Sequence, residues 1–179
     1  MEKINLQMFA AVAPEAVQGK QIIYLYRLLK DAKTDDAKTI AFSTDNENSL
    51  SRDAEITQTK SGPIRTPGAV ETEITLTSVL AKGDVMVDKL KAALIDGEVV
   101  ELWEVNMDEE GTTENVGKFK ATYYQGFITE LSVSSSAEDA TEISMTYGPN
   151  GTGVAGYASV TKEQQDIASY VFADVKKSS

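Results

Sequence analysis

The chain has no cysteine and no histidine. The first absence excludes disulfides, thiolate-ligated zinc and cysteine nucleophiles. The second excludes a histidine-dependent triad and removes the side chain best placed for proton transfer near neutral pH. No apolar run approaches the length needed to span a bilayer as a helix. The start, 1–13, imitates a secretion signal only faintly. Asn5 and Gln7 interrupt its apolar part, Glu2 weakens its positive end, and Pro14 would follow the cleavage point. Positive charge is also scarce: 17 Lys and Arg stand against 28 Asp and Glu, for a formal net charge of −11. A surface of that sign does not gather phosphates, so DNA or RNA is not expected as a bound ligand.

What is present is alternation. Residues 51–60 set Ala54 and Ile56 against Asp53, Glu55 and Thr57. Residues 69–77 set Val70, Thr72, Ile74 and Leu76 against Glu71, Glu73, Thr75 and Thr77. A period of two predicts strands. Between them Gly62-Pro63 and Pro67-Gly68 punctuate a turn over 61–68. A long, thinly apolar hairpin of this kind is marginal alone in water. It is accounted for if copies from neighbouring subunits pair edge to edge and satisfy one another's free N–H and C=O groups.

The rest also reads as mainly β. Residues 19–30 give an apolar, aromatic core strand and 39–44 a short strand around Ile40 and Phe42. Residues 99–106 give a strand buried on both faces. Two alternating stretches, 117–124 and 127–134, follow, with Phe119, Ala121, Tyr123, Phe127, Leu131 and Val133 inward and a bulge or bend at Gly126. The last strand, 141–147, points Ile143, Met145 and Tyr147 inward, and 148–156 is a flexible glycine loop. One helix is expected over 85–95, capped by Asp84, with Met86, Leu90, Ala93 and Leu94 on one face and Gly97 as its stop. Thr161-Lys162-Glu163-Gln164 resembles a capping box that opens a terminal helix with Ile167, Tyr170 and Val171 on one stripe. The expected architecture is a β-sandwich or partly closed barrel over 19–147. It carries one flanking helix, a protruding hairpin arm at 43–79 and extended terminal arms at 1–18 and 148–179.

Chemical motifs weaken on inspection. Gly151-Thr152-Gly153-Val154-Ala155-Gly156 matches a dinucleotide fingerprint, but no helix and second strand fit after it. Carboxylate pairs such as Asp35/Asp36, Glu71/Glu73 and Asp108/Glu109/Glu110 read as solvated surface rather than an acid/base pair. Asp45-x-Glu47 lacks a calcium-loop pattern. Trp103 and the tyrosines read as core before they read as a sugar platform. No catalytic, cofactor or metal residue is assigned.

Several features together resemble the major tail protein family of long-tailed bacteriophages of Gram-positive hosts, whose tails are non-contractile. They are Gly19-Lys20 leading into Ile22-Ile23-Tyr24-Leu25-Tyr26-Arg27-Leu28-Leu29, the long hairpin, the helix followed by the Trp103 strand, and Thr161-Lys162-Glu163-Gln164-Gln165 with Tyr170-Val171-Phe172. Ile4-Asn5-Leu6-Gln7-Met8-Phe9-Ala10 is similar to the start of many phage structural proteins. The resemblance implies a non-enzymatic subunit of six-membered rings stacked into a tail tube. The tube would be assembled in the host cytoplasm and would sit in the virion. A tape measure protein would lie inside it, a tail terminator and distal tail or baseplate proteins would close its ends, and DNA would pass without specific binding. Asp53, Glu55, Glu71 and Glu73 become candidates to line the bore, and Arg52, Lys60, Ile64 and Arg65 candidates for contacts between subunits. The alternatives are a tube protein of a contractile tail or secretion system, or a monomeric all-β binding module.

Overall fold

The computed structural model describes residues 16–168, with side chains through Gln165. The expected terminal arm at 1–18 lies almost wholly outside them, and so do Tyr170, Val171 and Phe172 and the side chain of Ile167.

The described residues form seven strands and two α-helices in chain order. They are β1 (Ile22–Leu28), β2 (Ser43–Thr59), β3 (Gly62–Val79), α1 (Val85–Asp96), β4 (Val100–Glu110), β5 (Phe119–Ser134), β6 (Glu142–Pro149), β7 (Val154–Ala158) and α2 (Lys162–Ala168). All strand pairs are antiparallel, and the strands form one continuous sheet in the order β1-β4-β5-β6-β3-β2, with β7 beside β5.

A single sheet makes a core here because it curls. Alternate side chains of every strand share one face, and on that face Tyr24, Tyr26, Val100, Leu102, Tyr124, Ile128, Ile143, Met145, Tyr147, Ile74 and Leu76 form one buried cluster. Three hydrogen bonds measure the curl. Tyr147 in β6 donates to the carbonyl of Val100 in β4 at 2.9 Å. Asn48 Nδ2, four places from β4 in the strand order, donates to both Glu104 and the Tyr124 hydroxyl. Strand β2 reaches β4 and β5 through side chains and does not pair with β1, so the partly closed barrel is an open sheet bridged by side chains.

Helix α1 fills the concavity. Asp84 caps it, one carboxylate oxygen accepting from the N–H groups of Met86 at 2.9 Å and Val87 at 3.4 Å; the other accepts from Ala41 N–H. Gly97 ends it in the left-handed region at φ 67°. Met86, Val87, Leu90 and Ala93 are buried against the sheet. Asp84→Ala removes the cap and the tether to Ala41, and is expected to lower stability by about 1–2 kcal/mol. Thermal unfolding followed by circular dichroism should read this as a fall of roughly 2–8 °C.

Strand β5 is long because it changes partners. Its first half pairs with β4 and its second with β6, and Gly126 is opposite both Val100 and Pro149. Only glycine fits there, since a Cβ would lie 2.2 Å from the Gly148 carbonyl oxygen. The bend predicted at Gly126 is this exchange of neighbours, and the register shift itself lies between Ile128 and Glu130.

Four local expectations are corrected. No strand covers 39–44: Ile40 is buried, but Phe42 sits at φ 53° and is 69% exposed, and β2 starts after it. The turn is not 61–68, because pairing runs to Thr59 and Gly62, with Pro63 opposite Gln58 and Pro67 opposite Ala54. Both prolines are tolerated on a strand with a free edge. Phe127 points outward and its neighbour Ile128 enters the core. The end of the 148–156 loop is strand β7, paired with Phe119–Tyr123. The capping box is realised, with Thr161 Oγ1 accepting from Gln164 N–H and Gln164 Oε1 from Thr161 N–H.

Candidate functional site

The hairpin β2–β3 runs out of the body as a two-stranded ribbon. Residues 49–61 of the outgoing strand and turn are all exposed, and the return strand becomes buried only at Ile74. Only residues 74–79 of β3 pair with β6, so among the described residues the ribbon beyond them has no third strand. The sequence motif survives because its polar alternation hides almost nothing and its backbone bonds are made within the ribbon.

The register sorts its side chains. Asp45 lies opposite Thr77, Glu47 opposite Thr75, Ser49 opposite Glu73, Ser51 opposite Glu71, and Glu55 opposite Thr66. Between Arg52 and Ala54 the extra residue belongs to β3, so β2 keeps its alternation and Asp53 stays on the same side as Ser51 and Glu55. Asp53, Glu55, Glu71 and Glu73, the four bore-lining candidates, therefore share one face. Pairing carries that face onward: Thr75 and Thr77 adjoin Thr146 and Ser144 of β6, which lie opposite Glu130 and Ser132 of β5. Glu142, opposite Ser134, completes it.

The result is a four-stranded outer surface, β2-β3-β6 and residues 127–134 of β5, with eight carboxylates: Asp45, Glu47, Asp53, Glu55, Glu71, Glu73, Glu130 and Glu142. Lys and Arg are absent from it; Arg52 and Arg65 point to the other face, and Lys60 is in the turn. None of these acids directly opposes another. Each paired one faces a threonine, serine or valine, which avoids the destabilising like-charge pair across strands. Neighbouring acids along a strand are still only about 7 Å apart, within the roughly 8 Å screening length of physiological salt. The surface is a continuous negative field. Asp45, Glu47, Glu130 and Glu142 were not among the sequence candidates, because their membership depends on strand register.

The opposite face of the ribbon differs. Leu50, Arg52, Ala54, Ile56, Arg65 and Val70 share it, in line with Asn48, Ile74 and Leu76 at the root. Ile64, grouped by sequence with Arg52 and Arg65, lies instead on the acidic side, opposite Thr57.

Two edges of this four-stranded unit are free among the described residues. The outer edge of β2 has no partner along its length. Beyond Gly126, where β4 ends its pairing, the corresponding edge of β5 is also free.

The other motifs are absorbed structurally. Trp103 is packed by its own chain, with the Arg27 guanidinium 5.0 Å from its ring centroid and Tyr123 at the same distance. Glu101, buried beside it, accepts from Arg27 Nε at 2.8 Å and from the Tyr123 hydroxyl at 2.6 Å; burial leads the causes that push that phenol above its usual range. Gly151-x-Gly153 is followed by strand β7, not the helix a dinucleotide needs. Among the described residues no group of three acidic side chains is placed to hold a metal ion, and no helix is long and apolar enough to cross a membrane.

An open, curled antiparallel sheet with one internal helix and a long solvated ribbon defines a mainly β protein built to present free strand edges. The family model for phage tail tube proteins matches residues 16–154, and the chain belongs to that family. It is a subunit of a phage tail tube. A putative tail protein of Staphylococcus phage phiMR25 is 31% identical over 159 residues, covering 87% of this chain and 81% of that protein. Among solved structures, the SPP1 tail tube has the same fold with a TM-score of 0.70 at 20% identity, covering 86% of both chains. The tail of a gene transfer agent particle gives 0.59 at 16% identity over 80% of this chain and all of that one. A chain of the sheath-tube complex of a PVC extracellular contractile injection system gives 0.52 at 14% identity, covering 82% and 95%.

Proposed function

We propose that six copies close into a ring by pairing the free edge of β2 with the free edge of residues 127–134 in the next copy, and that rings stack into the tube of a long, non-contractile tail. The observation that carries this reading is the pair of open edges on opposite sides of one four-stranded unit. Strand direction alternates from β2 through β3 and β6 to β5. An incoming β2 therefore meets β5 antiparallel, and the alternation continues without a fault around any number of copies. Head-to-tail contact between two different edges closes a ring when the rotation fits. The number six is supported by the C6 symmetry of the gene transfer agent tail.

Six units of four strands make a 24-stranded barrel. At about 4.8 Å between strands and about 40° of tilt, its backbone diameter is roughly 48 Å. Because the face is conserved through every pairing, one whole side of the barrel is the carboxylate–hydroxyl surface. Turned inward, that surface keeps DNA from adsorbing to the wall. Within the same reading, a tape measure protein occupies the bore before DNA does, terminator and distal tail or baseplate proteins occupy the ends, and assembly takes place in the host cytoplasm before the tube joins the virion. The arm at 1–18 is assigned the contact with the next ring, while 154–158 is held in the chain's own sheet as β7.

Negative-stain microscopy of the concentrated protein is expected to show rings or tubes with sixfold end views. A strict monomer by mass measurement at the same concentration overturns the reading.

A further inference from the structure

We infer that the apolar and basic face of the ribbon is a docking face for helix α1 and the end of strand β5 in a second copy of this chain. The inference rests on the ring reading above and specifies what holds its joints.

Strand parity carries the argument. Helix α1 lies on the core face of the sheet, where Leu90 and Ala93 share a cluster with Ile128 and, at its margin, Leu131. When β2 of a neighbour joins the free edge of 127–134, its core-side residues come to the same side of the extended sheet as α1. Those residues are Leu50, Arg52 and Ile56, with Val70 and Arg65 from the companion strand. They cannot turn to the acidic side without a one-residue slip, which would reverse every side chain.

Both surfaces have apolar groups that the single chain leaves in water. On the ribbon Leu50 is 59% exposed and Ile56 48% exposed. On the receiving side Val133 is 53% exposed and Ile95, on the solvent side of α1, is 74% exposed. Charge is complementary as well. Asp88 and Asp96 are exposed on α1 with one lysine, Lys91, while Lys89 is held by Asp31 and Asp35 at 2.9 and 2.6 Å. The ribbon face brings Arg52 and Arg65 and no acid. The ribbon has one negative and one positive-apolar side, so it can bind a sister subunit with the second while the first stays free.

The cysteine-free chain makes a direct test available. Leu50→Cys or Ile56→Cys is combined with Ile95→Cys or Val133→Cys, tubes are assembled and confirmed by microscopy, and a short bismaleimide is added. Covalent ladders on denaturing gels are expected from at least one combination. Glu47→Cys or Glu55→Cys with the same receivers is expected to give at least tenfold less. Intact tubes that cross-link no better from the core-side positions than from the acidic-side ones overturn the docking face alone. Absence of rings or tubes in the wild-type chain overturns the ring reading, and this inference with it.

Discussion

Tubes in which Asp53, Glu55, Glu71 and Glu73 are all lysine are expected to hold DNA that wild-type tubes release. Each change adds two charges, so the subunit goes from −11 to −3, and the change is concentrated on one face of the ribbon. In a sixfold ring this places about 24 ammonium groups where carboxylates stood, each able to displace a counterion from a phosphate. Affinity would then fall with a slope of about 0.9 per contact in log salt. DNA should co-sediment with the variant tubes at low salt and leave them at high salt, and virions carrying them should eject more slowly. Assembly should survive, because four like charges are removed from a crowded face and no backbone donor is touched. The isosteric set Asp53→Asn, Glu55→Gln, Glu71→Gln and Glu73→Gln separates loss of repulsion from gain of attraction, and should lie between the two. Lysine tubes that bind no more DNA than wild type would remove the acidic face from the bore.

The same four residues show what could be read without coordinates. Alternation at 51–60 and 69–77 gave the strands and grouped Asp53 with Glu55 and Glu71 with Glu73, since a period of two needs no partner to be visible. Helix α1 was legible for a similar reason: cap, apolar stripe and left-handed stop are all local. What stayed hidden depends on pairing between distant segments. Only register unites Glu130 and Glu142 with the ribbon acids, and the bulge between Arg52 and Ala54 decides that Asp53 does not cross to the other face. The hairpin turn was misplaced because Gly-Pro and Pro-Gly signal a break in most chains, whereas a ribbon with free edges accommodates both prolines within its strand. Phe127 and Ile128 exchanged roles because an extra residue of β5 between Ile128 and Glu130 reverses the alternation that Leu131 follows, which no window of one strand reveals.

The side-chain bridge at the mouth of the sheet connects fold to assembly. An antiparallel sheet that closed on itself would satisfy every edge and leave a monomer. Here Asn48 ties β2 to Glu104 of β4 and Tyr124 of β5 by side chains alone. They hold the curl without consuming the backbone edge of β2. The same contacts fix the root of the ribbon, and hence the direction in which the acidic face leaves the body.

Proline in β2 tests that edge with the second large effect. Successive N–H groups of an extended strand point to opposite edges, so of Ser49→Pro and Leu50→Pro one removes a donor facing β3 and the other a donor facing outward. The first variant should loosen the ribbon. The second should leave the monomer's circular dichroism and melting temperature close to wild type, since proline is accepted where the N–H meets solvent. Yet it should abolish assembly at concentrations where wild type forms tubes. An unmade backbone bond at a buried joint costs about 1–3 kcal/mol, and ring bulk adds to it. At 1.4 kcal/mol per factor of ten, each joint is weakened about 5- to 150-fold. Proline scanning of 127–134 should reproduce the pattern, because the two edges are halves of one ladder. Normal tubes from both β2 variants would mean that subunits join through some other surface and that the free edge of β2 is incidental.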